Sequence, residues 1–196
     1  MSYQLQEINR RIDQDVKGFL EECDAQYAQK VSQAADAILT NLPHSPIVLL
    51  SGPSGSGKTT TALKIEEELE KRGVLSHTIS MDNYFKTLDR RTAPRNAEGD
   101  IDYESPRLLD MDLLDDTFTK LSHGEWVVVP KFEFARQMRN DARGRPLKLE
   151  KNEIAIFEGI HALGPGIAGP HPEATKLYIS ARSNVLEGDA LRFKGT

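Results

Sequence analysis

Ile47-Val48-Leu49-Leu50-Ser51-Gly52-Pro53-Ser54-Gly55-Ser56-Gly57-Lys58-Thr59-Thr60 is the stretch whose reading decides the fold. Its first four residues form an apolar run that reads as a buried parallel strand. Gly52 to Thr59 matches G-x-x-x-x-G-K-[ST] at every fixed position. Residues 60–72 then read as a helix with Ala62, Ile65 and Leu69 on one face and Gly73 as its stop. Strand, glycine loop and helix stand in the order that a phosphate cradle requires. Glycines let the backbone curl so that amide N–H groups of Gly52, Ser54, Gly55, Ser56, Gly57 and Thr60 point inward at phosphate oxygens. The helix N-terminus adds its positive dipole end. Lys58 would reach the outer phosphates, and the Thr59 hydroxyl would hold Mg²⁺.

Working outward, Ser76-His77-Thr78-Ile79-Ser80 reads as a second strand that delivers Met81-Asp82-Asn83-Tyr84-Phe85 to its carboxyl end, the edge where open parallel sheets bind ligands. Asp82 there is a candidate to accept a hydroxyl proton, or a turn cap. Residues 86–106 are loop-rich, and Arg90, Arg91 and Arg95 crowd there. Asp110 caps a helix presenting Leu113, Leu114, Phe118 and Leu121, which stops at Gly124. Residues 126–130 read as a strand. Gly144-Arg145-Pro146 reads as a turn and residues 147–149 as the return strand of a hairpin. Phe132 and Phe134 are hairpin core or a platform for a planar ring. Ile154-Ala155-Ile156-Phe157 is another buried strand. It ends in Glu158, either a carboxylate partner for Thr59 at a metal or a surface acid. His161 reads as structural or solvent-facing. Residues 176–179 form one more strand.

Before the first core strand, residues 1–42 read as helical, with Asp13 and Asp15 offering a break and a new N-cap. The expected division is an N-terminal helical extension over 1–43 and a core over 44–196. The extension is a docked appendage or a partner-binding helix, so a homo-oligomer stays open. The expected fold is α/β: a parallel sheet flanked by helices, with a small acceptor-side hairpin. At 196 residues the chain holds one domain with a real core. A net charge of -5 with no basic run argues against nucleic acid as a partner. Cys23 is the only cysteine, so a reducing, cytoplasmic setting is expected. No apolar stretch approaches the ~20 residues that cross a bilayer, so no membrane partner is expected.

The ordered set Gly52 to Thr60, Met81 to Phe85, Ile101-Asp102-Tyr103-Glu104-Ser105-Pro106, Pro130-Lys131-Phe132-Glu133-Phe134 and Phe157-Glu158-Gly159-Ile160 resembles one group. The chain is similar to the uridine kinase and phosphoribulokinase family of phosphate-loop kinases. Within it, the chain looks most like bacterial uridine kinase-type nucleoside kinases with a helical N-terminal extension. The resemblance implies ATP as co-substrate with Mg²⁺, and a nucleoside or similar small hydroxyl compound as acceptor. It implies catalytic roles for Lys58 and Asp82, metal contact for Thr59 and Glu158, and ribose contact for Asp102. Tyr84 shares the Asp82 motif and falls among its substrate residues. Phe132 stands near the base, where the family more often has tyrosine. Gln137 departs from a base-reading histidine, and Arg139 matches a basic position after the hairpin. A second departure is the C-terminal end. An arginine-bearing lid helix, a last strand and an adenine-contacting loop are expected after residue 179, yet only Arg182, Arg192 and Lys194 remain, so the core is expected to be incomplete there.

Overall fold

A computed structural model describes residues 2–180 and 183–195. Strand β1 (Ser2–Gln4) leads into the long helix α1 (Leu5–Asn41). α1 is two helices in one. Asp15 leaves helical geometry at φ -160, ψ 86, and its Oδ1 accepts the Gly18 amide at 3.0 Å. The break and new cap expected at Asp15 are therefore where the helix bends. The expectation of helix from the first residue differs at Ser2–Gln4, which pairs in parallel with β10 (Asn184–Glu187) instead. Extended backbone is favoured there because a partner strand satisfies its N–H and C=O groups.

The central sheet is built from β2 (Ile47–Ser51), β3 (Ser76–Ser80), β8 (Ile154–Glu158) and β9 (Thr175–Tyr178). All pairs are parallel, in the order β3-β8-β2-β9. Every residue of β2 and β8 is buried, as expected of central strands covered on both faces. Helix α2 (Lys58–Lys71) lays Ala62, Ile65 and Leu69 on one face. Val31, Ala35 and Ile38 of α1 complete that layer with Val48, Leu50, Ile154 and Ile156. Arg72 joins the two helices, bonding Asp36 at 2.5 Å, Ser32 Oγ at 2.7 Å and Glu68 at 2.9 Å. On the opposite face, helix α3 (Met111–Ser122) packs Leu114, Phe118 and Leu121. The Asp110 side chain accepts the Leu113 amide at 3.3 Å, so the cap read from the sequence is in place.

Small two-stranded ladders stand outside the central sheet. β4 (Val127–Val129) pairs antiparallel with β7 (Arg145–Leu147), and β5 (Phe132–Glu133) with β6 (Met138–Arg139). Arg145-Pro146 is thus strand rather than turn. Pro146 lacks an N–H, but it lies in a two-stranded edge ladder where that loss is tolerated. The single-turn helix α4 (Pro165–Ala168) follows β8, and β11 (Ala190–Phe193) forms an antiparallel hairpin with β10. Arg192 lies on β11 and Lys194 follows it, while Arg182 falls outside the described residues. Among the described residues, no helix is long and apolar enough to cross a membrane.

Candidate active site

The phosphate loop leaves β2 at Ser51 and closes into α2 at Lys58. Gly55 and Gly57 stand at φ +70 and +83, conformations that side chains rarely adopt. Gly52 is glycine for a different reason: an added Cβ would stand 2.5 Å from the Ile179 carbonyl oxygen and 2.8 Å from Ser56 Oγ. Ser54 is exposed within the loop and Thr60 in the first turn of α2. Lys58 Nζ donates to the Pro53 carbonyl at 3.0 Å, which folds the lysine across the mouth of the cradle.

Register then brings the carboxylates to this loop. Glu158 pairs with Leu50 on one side and Ser80 on the other. It is 6% exposed, and its Oε1 accepts the Thr59 hydroxyl at 3.4 Å. Two residues past Ser80, Asp82 sits on a 3-10 turn (Met81–Tyr84). Burial pushes the Asp82 carboxyl above its usual range, opposed by the nearby charges of Lys58 and His161. Lys58 is therefore near enough for its charge to act on Asp82 at the carboxyl edge of the sheet. His161 was expected to be structural or solvent-facing; its Nε2 is buried without a hydrogen-bond partner among the described residues. The Glu158-Gly159 signal could have flagged it, since it follows the same strand end.

Thr59 and Glu158 fit Mg²⁺. That ion takes one or two protein oxygens and completes its shell with phosphate and water. No group of three or more His, Cys, Asp or Glu suited to a metal occurs among the described residues. Such a cage is what Mg²⁺ at a phosphate site does without.

Three residues past Asp82, Phe85 enters a narrow cavity of about 130 Å³, lined also by Leu108, Phe132, Phe134 and Gln137 among others. That is below the roughly 300–1,000 Å³ of a drug-sized site, so it suits one ring rather than a whole molecule. Phe85, Phe132 and Phe134 meet edge to face at 5.7 and 5.2 Å between centroids. Asn83 Oδ1 accepts the Phe132 amide at 3.2 Å, which ties the Asp82 turn to the slot. Gln137 adopts φ +51 and its Nε2 donates to Tyr103 Oη at 3.3 Å. Asp102 Oδ1 accepts the Glu104 amide at 3.1 Å, one residue before that tyrosine. Tyr103 and Phe85 line the slot without having been singled out from the sequence. Only their places inside the quoted motifs could have marked them.

Two expected substrate residues have protein partners of their own. Tyr84 is fully buried and packs on Phe157 at 6.2 Å in the core. Burial pushes its phenol up to about 12, against the nearby Thr117 and Arg145. It supports the turn from below and has no exposed surface. The Arg139 guanidinium is engaged with Asp110 at 2.6 Å and Asp141 at 2.9 Å. It braces the cap of α3 rather than standing free for an anion.

A glycine cradle at the end of a central parallel strand, with carboxylates on the neighbouring strand tips, defines a phosphate-loop kinase fold. The family model described as the phosphoribulokinase/uridine kinase family matches residues 47–165. The chain belongs to that family. It is 34% identical over 114 residues to a uridine kinase of Schizosaccharomyces pombe, covering 58% of this chain and 24% of that protein. It is 32% identical over 117 residues to a uridine kinase of Staphylococcus aureus, covering 60% of this chain and 53% of that one. The matched segment thus spans about half or less of these curated relatives. Among solved structures, a protein provisionally named a fructose transport system kinase of Silicibacter shares the fold. Its TM-score is 0.60 at 24% identity, over 76% of this chain and 73% of that one. A D-glycerate 3-kinase of Cryptococcus neoformans does so with a TM-score of 0.53 at 22% identity, over 67% and 52%.

Proposed function

We propose that the chain is the catalytic core of an ATP-dependent kinase that phosphorylates the 5′-hydroxyl of a pyrimidine nucleoside. The observation that carries this is one neighbourhood. The Lys58 cradle, the Thr59–Glu158 pair and the partly buried Asp82 share one sheet edge, and the Asp82 turn is tied through Asn83 to an aromatic slot lined in part by Gln137. The acceptor oxygen attacks the γ-phosphorus, the bond to the bridging oxygen breaks, and ADP leaves. Asp82 takes the hydroxyl proton; its raised affinity for protons makes it a stronger base than an exposed aspartate. Lys58 exchanges its Pro53 contact for the phosphates and steadies their charge. Bound Mg²⁺ would neutralise phosphate charge, and Thr59 and Glu158 are the residues that would hold it. In this reading Asp102 holds ribose hydroxyls, Phe132 takes one face of the base, and Gln137 reads its edge, since an amide both donates and accepts. A reducing, cytoplasmic setting suits the exposed free thiol of Cys23.

A second reading is a kinase of another small hydroxyl compound, such as a sugar phosphate. Lys86 on the slot favours it by supplying a cation. Arg95 does not add to it, because its guanidinium bonds the Gly99 and Arg90 carbonyls. The test is product analysis after incubation with Mg-ATP and a panel of nucleosides and sugar phosphates. A nucleoside 5′-monophosphate is expected. Phosphorylation of sugar phosphates alone would transfer the assignment to the second reading.

A further inference from the structure

The strand order leaves a second cavity on the far side of the phosphate loop. Asp82 follows β3 and Glu158 ends β8, both to one side of β2, whereas β9 lies to the other. There, about 860 Å³ opens between α1, α2 and the end of β9. Its walls are mostly apolar: Val31, Ala34 and Ala37 from α1, Ile65 from α2, and Leu177 and Ile179 from β9. One end is the phosphate loop itself, since Ser56, Gly57 and Thr60 also line it. Tyr27 stands at the rim, its hydroxyl 2.8 Å from Thr61 Oγ1, and Lys30 and Gln33 face the same space.

A nucleoside triphosphate is a rod with chemistry at one end and a base at the other. With its γ end turned toward Asp82, its base must leave the cradle on the β9 side. A flat ring with apolar faces and a polar edge suits these walls, and the volume lies within the usual range for such a ligand. We propose that α1 forms one wall of a purine pocket for the phosphate donor. Tyr27, Lys30 and Gln33 are then the residues that select the base. This rests on the kinase reading above, but it uses residues outside the matched 47–165.

The test is equilibrium binding of Mg-ATP and of inorganic tripolyphosphate to the full chain. Wild type is compared with Ala37→Trp, which fills the cavity from an exposed position, and with Tyr27→Ala. Thermal melts report folding. Wild type is expected to bind ATP at least about tenfold more tightly than tripolyphosphate. Ala37→Trp is expected to erase that margin and Tyr27→Ala to narrow it, with tripolyphosphate affinity unchanged. Photolabelling of wild type with 8-azido-ATP is expected to mark peptides from residues 27–37, a readout that stands even if a variant fails to fold. Equal affinity of wild type for the two ligands overturns the base pocket and leaves the phosphate loop standing. So does a margin that survives in both variants with the label placed elsewhere. Failure to bind either ligand overturns the kinase reading and the pocket together.

Discussion

Replacing Gly52 by alanine tests the phosphate cradle by the sign of a stability change. The added Cβ would meet the Ile179 carbonyl oxygen at 2.5 Å and Ser56 Oγ at 2.8 Å. The serine can rotate away. The carbonyl cannot, because the Ile179 amide donates to Ser51 at 2.8 Å and β9 is held in register with β2. Reaching ordinary contact requires a shift of about 0.9 Å, from 2.5 to 3.4 Å, between two paired backbones. Overpacking of this kind costs about 1–3 kcal/mol. For a chain of this size each kcal/mol moves the melting temperature by about 2–4 °C, so a loss of roughly 2–12 °C is expected. Gly52 is not in the left-handed region. Without the close contact, Gly→Ala should instead stabilise by about 0.4–1 kcal/mol through the unfolded chain. Differential scanning calorimetry of Gly52→Ala, with and without tripolyphosphate, separates the two. A raised melting temperature, with ligand-induced stabilisation intact, would refute the close approach of loop and strand.

Further outcomes follow from charge and caps. Asp82→Asn is expected to cut phosphoryl transfer by about 10²–10⁴, the usual contribution of a general base, while raising stability at neutral pH. The sign comes from the raised folded-state pKa of Asp82. Its contribution is full below the ordinary carboxylate range and is lost as pH rises through the folded value. Melts from pH 3 to 8 should therefore show the Asn variant gaining most at the upper end. No gain there would contradict the burial of a charged Asp82. Asp110 titrates the other way. Burial pushes its carboxyl up, but the Arg139 guanidinium and the Leu113 amide together hold it below its usual range. Its stability is present above the unfolded pKa and lost as pH falls through the folded one. Asp110→Ala should cost about 0.5–2 kcal/mol as a lost helix cap, measured by urea unfolding at pH 7, and the deficit should shrink in acid. Glu158→Gln should weaken the Mg²⁺ dependence of ATP binding without abolishing tripolyphosphate binding in metal-free buffer, followed by calorimetric titration.

The parts of the fold legible in the sequence are those whose cause is local. Loop spacing from Gly52 to Thr59, the unbroken apolar runs of β2 and β8, and the caps at Asp15 and Asp110 each act within a few residues of themselves. The positions of Asp82 and Glu158 were legible because one follows and the other ends a strand, and the carboxyl ends of these parallel strands share one edge. What escaped depends on partners distant in sequence. Arg139 matches a basic position after the hairpin, but nothing near it in sequence signals that Asp110, 29 residues earlier, engages its guanidinium. Tyr84 shares a motif with Asp82, but its own ring turns into the core, onto Phe157. The Tyr27–Thr61 contact spans 34 residues and depends on how α1 settles on α2. Ser2–Gln4 is too short for any period to declare it, and it becomes a strand only because β10 lies beside it.

A crystal structure grown with a non-hydrolysable ATP analogue, Mg²⁺ and a pyrimidine nucleoside measures the central arrangement most directly. The expected result is a triphosphate wrapped by residues 52–60, a cation between Thr59 and Glu158, and the nucleoside 5′-oxygen within hydrogen-bond reach of Asp82. A triphosphate bound away from Lys58, or an Asp82 carboxylate turned from the acceptor hydroxyl, would contradict it.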